Sequence, residues 1–167
     1  MPAPDYTKLE PHLLADVFPP MPKEEFEAFK ADIKANGIRV PITLYEGKIL
    51  DGKHRYLAAK EAGHHYGDSF AGSFTDLPAG VDPIKFVLST NVARRHLTTS
   101  QRAIIAARLV TTTNGGNRQS AKMLTDITQE DAAKRLNVST RLVTSAVSIL
   151  PNKKRVEDVV KEGTHCP

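Results

Sequence analysis

One stretch constrains this chain more than any other: Thr128-Gln-Glu-Asp-Ala-Ala-Lys-Arg-Leu-Asn-Val-Ser-Thr-Arg-Leu-Val-Thr-Ser-Ala-Val-Ser-Ile-Leu150. Thr128 is placed to cap a first helix, with Asp131 three residues on. Ala132, Ala133 and Leu136 give that helix a thin apolar face, and the small alanines let a second helix pack close. Asn137 stands where the chain must turn sharply, and asparagine tolerates the left-handed conformation. Val138 fills the corner. Ser139 then caps a second helix whose apolar stripe is Leu142, Val143, Ala146, Val147 and Leu150.

That phasing leaves Thr140, Arg141, Thr144, Ser145 and Ser148 on the open face of the second helix. Such side chains hydrogen-bond base edges and phosphates, and a recognition helix presents them to the major groove. The pattern therefore predicts a DNA-binding helix-turn-helix over 128–150, with Lys134 and Arg135 on the first helix meeting phosphates. The plain alternative is an αα-hairpin with a polar face.

Charge favours the DNA reading. Residues 1–90 carry 10 Lys/Arg against 13 Asp/Glu, a net of −3, whereas residues 91–167 carry 13 against 6, a net of +7. A basic half joined to a mildly acidic half points to a polyanion partner for the second half. Other classes drop out. No apolar run approaches the roughly 20 residues a membrane helix needs. Met1 to Asp5 show no basic stretch leading into an apolar core, so no signal peptide is expected. The single cysteine, Cys166, can form neither an internal disulfide nor a metal cluster, which suits a reducing cytoplasm.

Upstream, residues 1–22 hold six prolines and read as an extended lead-in. Phe26, Phe29 and Ile33 fall at helical spacing from Lys23, and Asn36-Gly37 supplies the stop. Residues 40–45 and 48–50 read as a tight hairpin around Glu46-Gly47, with Pro41 placing the first strand near an edge. Asp51-Gly52 is a turn into a helix over about 53–62. Residues 64–83 read as a loop, and His64-His65 within it as polar loop residues rather than metal ligands. Residues 84–89 read as a strand, with a short helix as the alternative. Thr98 and Gln101 are spaced as a capping box for a helix to about Val110, and 111–117 reads as a linker.

The segment Ile49-Leu-Asp-Gly-Lys-His-Arg-Tyr-Leu-Ala-Ala59 resembles the signature of the ParB/sulfiredoxin superfamily, in which a strand delivers a glycine turn into a basic helix start. Asn91-Val-Ala-Arg-Arg-His-Leu-Thr98, followed by Ser100-Gln-Arg-Ala103, is similar to the ParB segment that contacts phosphate and leads into a central helical domain. The order of the pieces agrees too, and the resemblance covers residues 12–150, closest to the ParB-like proteins of plasmids and phages.

It implies an α+β chain. A small mixed-sheet ParB/sulfiredoxin-like domain would span 1–96, and an all-α DNA-binding domain 97–167. It also implies a nucleotide-phosphate site, CTP-like in its ligand, built from Gly52, Lys53, His54, Arg55, Asn91, Arg94 and Arg95. Backbone N–H groups and the helix dipole would meet the anion there.

Departures from the family narrow what is implied. Members that hydrolyse CTP carry Gly-Glu-Arg-Arg where this chain has Gly52-Lys53-His54-Arg55, and Glu-Asn where it has Thr90-Asn91. Losing the acid removes a Mg²⁺ ligand, so nucleotide binding without hydrolysis is the expectation. Sulfiredoxin chemistry needs a cysteine at the position of Lys53 and is excluded. Family members with a full architecture have a C-terminal dimerisation domain that is not legible here, which leaves homodimerisation open. Three readings follow: a cytoplasmic DNA-binding protein of partition or regulation, a ParB-like nuclease or nucleotide-dependent kinase, and a module whose basic half docks an acidic protein.

Overall fold

A computed structural model describes residues 6, 8–63, 73–92, 97–115, 127–152, 156, 157 and 160. Among them the chain is α+β, with six α-helices and a three-stranded mixed sheet. Contacts divide it into two units. The first comprises Met1–Asp16 with Pro20–Val87, and the second Val17–Pro19 with Leu88–Pro167.

In the first unit, α1 (Lys23–Asn36) ends where expected. Gly37 takes φ 72°, and its N–H bonds Ile33 O at 2.8 Å. The hairpin follows as β1 (Ile42–Tyr45) and β2 (Lys48–Asp51), antiparallel. Its turn residues Glu46 and Gly47 both have positive φ, 52° and 71°, the twist that a two-residue hairpin requires. Thr43 pairs with Asp51 but Leu44 pairs with Ile49, so the register shifts within the ladder at Leu50.

Two expectations about this sheet are overturned. β1 is the central strand, because β3 (Phe74–Asp76) pairs with it in parallel, in the order β2-β1-β3. Pro41 lies one residue before the strand, so its missing N–H removes no ladder bond. β3 falls within the stretch read as loop. It is three residues long with one apolar side chain, too short for any period to emerge. Residues 77–82 are irregular, Pro83 already belongs to the next helix, and 64–72, including His64 and His65, lie outside the described residues. The described part of the lead-in is also more than an extended strand. Pro11 bridges Ile49 beside β2, and a 3₁₀ turn at Leu13–Asp16 buries Leu14 completely.

α2 (Lys53–Glu61) covers the sheet through Tyr56, which joins Ile42, Leu44 and Ile49 in one cluster. Ala58 and Ala59 meet Ile33 of α1 in a second cluster. Alanines at the crossing allow the two helices to approach closely.

The run 84–89 is helical, not a strand. α3 spans Pro83–Val92. Ile84, Val87 and Leu88 are its buried residues, at i, i+3, i+4 spacing, while the Asp82 carboxylate accepts the Ile84 N–H at 2.9 Å. Proline at the first helical position needs no N–H partner.

In the second unit, α4 (Thr99–Gly115) starts at the expected reciprocal cap. Thr98 N–H donates to Gln101 Oε1 at 3.0 Å, and Gln101 N–H to Thr98 Oγ1 at 3.2 Å. It runs past Val110 through part of the stretch read as linker. The Thr113 hydroxyl bonds back to Leu109 O, which lets a polar residue sit buried in the helix. Ala103, Ile104 and Ala107 form a core with Ala146, Ile149 and Val156.

Candidate nucleic-acid interface

α5 (Gln129–Leu136) and α6 (Thr140–Ile149) stand on α4 and are joined by three residues. Thr128 caps α5, its Oγ1 accepting from Asp131 N at 3.1 Å and donating to the Asp131 carboxylate at 2.8 Å. Glu130 and Asp131 occupy the positive end of that helix, and Lys134 and Arg135 the negative end, so charge and dipole agree. Asn137 is left-handed at φ 51°, ψ 55°, and Val138 N–H closes on Ala133 O at 3.0 Å. Ser139 caps α6 by accepting the Leu142 N–H at 3.3 Å.

Burial sets the orientation of α6. Val143, Ala146 and Ile149 are buried, as are Ala132, Ala133 and Leu136 of α5. The expected stripe is shifted by part of a turn. Ile149 joins the core, and Leu142, Val147 and Leu150 pack at its margin. Thr140, Arg141, Thr144 and Ser148 are exposed; Ser145 is half-buried. At 100° per residue the four exposed side chains fall within one arc of about 100°, opposite Val143 and Ala146.

The polar residues of this face differ in their commitments. Thr144 Oγ1 donates toward Gln129 Oε1 at 2.7 Å and Thr140 O at 3.1 Å, and Ser148 Oγ donates to Ser145 O at 2.7 Å. Lys134 meets Glu130 at 3.2 Å with both side chains about 70% exposed, a contact of little energy. Arg135 is exposed on the same helix. The Arg141 side chain makes no hydrogen bond or ion pair among the described residues. Gln129 was not foreseen. A glutamine opening a helix carries no special signal, and its partner lies 15 residues away.

The second candidate site begins at Gly52, which caps α2 with φ 97°. A Cβ there would stand 2.9 Å from the Arg55 guanidinium. Lys53 pairs with Asp16, and His54 Nε2 accepts the Met21 N–H at 3.2 Å. Arg55 Nη2 donates to Asp51 Oδ2 at 2.9 Å and to Pro41 O at 3.2 Å. Arg55 Nε is buried without a hydrogen-bond partner among the described residues. The three consecutive basic residues therefore reach separate partners within their own unit. Asn91 sits on α3 in the second unit, its amide donating to Thr90 Oγ1 at 3.2 Å. Arg94 and Arg95 lie outside the described residues.

Burial also leaves its mark on two groups of this unit. Desolvation lowers the His12 pKa, and Lys48 adds to the effect against the opposing pull of Glu46. Desolvation raises Tyr45, helped by Glu46 and Asp82. Among the described residues no cluster of His, Cys, Asp and Glu could hold a metal ion, and no helix is long and apolar enough to cross a membrane.

No family model matches the sequence, and no curated protein matches it. Among solved structures, it is similar to the C-terminally truncated chromosome-partitioning protein ParB from Caulobacter crescentus, complexed with CTP-γ-S. The two are 18% identical, 87% of this chain and 76% of that chain are covered, and the TM-score is 0.35.

Proposed function

We propose that this chain binds duplex DNA in a sequence-specific manner through α5 and α6, as a ParB-like protein of plasmid or phage partition or of transcriptional regulation. The observation that carries the reading is the pair of capped helices around the left-handed Asn137. One side of α6 is sealed into the core, and the other presents Thr140, Arg141, Thr144 and Ser148. Arg141 is the long cation on that face and the natural partner of a guanine edge. Lys134 and Arg135 flank it as phosphate contacts, and Ser145 lies at its margin. The net charge of +7 over residues 91–167 supplies the sequence-independent attraction.

The same reading gives Gly52, Lys53, His54 and Arg55, with Asn91, Arg94 and Arg95, a CTP-like nucleotide as ligand. Binding there would exchange carboxylate partners for phosphate: Asp16 at Lys53 and Asp51 at Arg55. The pairs keep the turn neutral until an anion of higher charge competes for them.

Selection of bound duplexes from a random pool, with and without millimolar CTP, tests both parts. A defined sequence should be enriched, and CTP should alter its retention. Arg141→Ala should then cost about 1–3 kcal/mol on the enriched duplex and much less on random DNA. Equal losses on both would make Arg141 a phosphate contact. No enrichment by the unaltered protein would refute the DNA reading.

A further inference from the structure

Gln129 and Thr144 connect the two helices of the interface through side chains alone. Gln129, the first residue of α5, is half-buried, and Thr144 lies on the exposed face of α6. The Thr144 hydroxyl lies 2.7 Å from Gln129 Oε1 and 3.1 Å from Thr140 O. A hydroxyl owns a single hydrogen, and both of these neighbours are acceptors. That hydrogen is therefore spent inside the protein. Thr144 has none to give to the acceptors of a guanine edge or to thymine O4.

The bond also meets a mechanical need. The buried residues of α5 and α6 include Ala132, Ala133 and Ala146, side chains with nothing to interlock. Burial of Val143 and Ile149 sets the rotation of α6 coarsely, but apolar contact is non-directional, and the alanines add close approach without refining that angle. A hydrogen bond is directional, and this one ties the first turn of α5 to the middle of α6. A small rotation of α6 would carry the end of the Arg141 side chain across a base pair.

We propose that Gln129 is a positioning residue which, through Thr144, fixes the angle at which α6 offers Thr140 and Arg141, and that Thr144 donates to no base. The inference rests on the DNA-binding reading above.

The test uses the full chain and two duplexes, one enriched by the unaltered protein and one of random sequence. The quantity measured is the ratio of the two affinities. Gln129→Ala and the near-isosteric Thr144→Val should each lower that ratio about tenfold, and the double variant should lower it no further. Gln129→Glu keeps an acceptor for the Thr144 hydroxyl, so its ratio should stay near that of the unaltered protein. Its added charge should weaken both duplexes alike. Thermal melts establish that each variant is folded. Additive losses in the double variant would show that Thr144 contacts a base directly, and an unchanged ratio in Gln129→Ala would show that the bond positions nothing. Either result overturns the proposal while leaving DNA binding intact. Failure of the unaltered protein to enrich any sequence is a different outcome, which overturns the DNA reading and this inference with it.

Discussion

His12 is 2% exposed, and its Nδ1 accepts the Leu14 N–H at 3.2 Å while its ring stands edge-on to Tyr45. Protonation would turn that acceptor into a donor facing another donor, in a setting that already disfavours charge. The folded-state pKa is thus lowered below the ordinary 6.5, mainly by desolvation. Above pH 6.5 both folded and unfolded chains hold a neutral imidazole, and the stability from this site is fully present. As pH falls below 6.5 the unfolded chain takes up a proton that the folded chain refuses. Stability is then lost, at up to about 1.4 kcal/mol per pH unit, until the folded pKa is passed. His12→Asn can still offer an oxygen to the Leu14 N–H but does not titrate. Urea unfolding between pH 7 and 5 should therefore show a shallower decline in this variant than in the unaltered protein. Parallel declines would assign the acid sensitivity to other groups. Nothing in the sequence announces His12, since its burial depends on Pro11 and Ile49 meeting from segments 38 residues apart.

Among the elements, α5 and α6 offer a direct check of phasing. Leu136 is 1% exposed, whereas Leu142 is only half-buried at the edge of the cluster formed with α4. Leu136→Ala should cost about 2–5 kcal/mol, and Leu142→Ala should fall at or below the lower end of that range. Thermal melts that ranked them the other way would place α6 in a different rotation from the one described. This pair of helices was legible because its signals are local: Thr128, Asn137 and Ser139 each act on backbone within three or four residues. α3 was legible in principle, as Ile84, Val87 and Leu88 keep helical spacing, yet a short apolar run reads as a strand just as readily. β3 was not, because its three residues owe their conformation to pairing with β1. The candidate interface divides the same way. Thr140, Arg141 and Ser148 could be placed by periodicity, while the Gln129–Thr144 bond exists only once two helices have packed. Around Gly52 the sequence showed the turn and the charges but not their partners. Asp16, Met21 and Pro41 come from three other segments, and a run of cations carries no sign of where each will point.

At the scale of the whole chain, contacts draw the division inside α3, between Val87 and Leu88, and place Val17–Pro19 with the second unit. The sign of the net charge changes near the same place. On the DNA-binding reading proposed above, the basic unit would supply the discrimination among DNA sequences, and its size limits what one copy can do. α6 has ten residues, about 15 Å of helix, and Arg141 is its one long cation. A good bidentate base contact discriminates by about 1–3 kcal/mol, whereas specific recognition typically exceeds non-specific binding by about 4–10 kcal/mol. One Arg141 with short hydroxyl side chains beside it falls below that range; two copies acting together reach it. The enriched duplex should accordingly be an inverted repeat, its half-sites centred about 34 Å apart or a multiple of that, with two chains bound. Sedimentation of the complex gives the stoichiometry, and moving one half-site by five base pairs, half a turn, should weaken binding to the level of a single half-site. An asymmetric sequence occupied by one chain, indifferent to such spacing, would mean that residues beyond α6 share the readout.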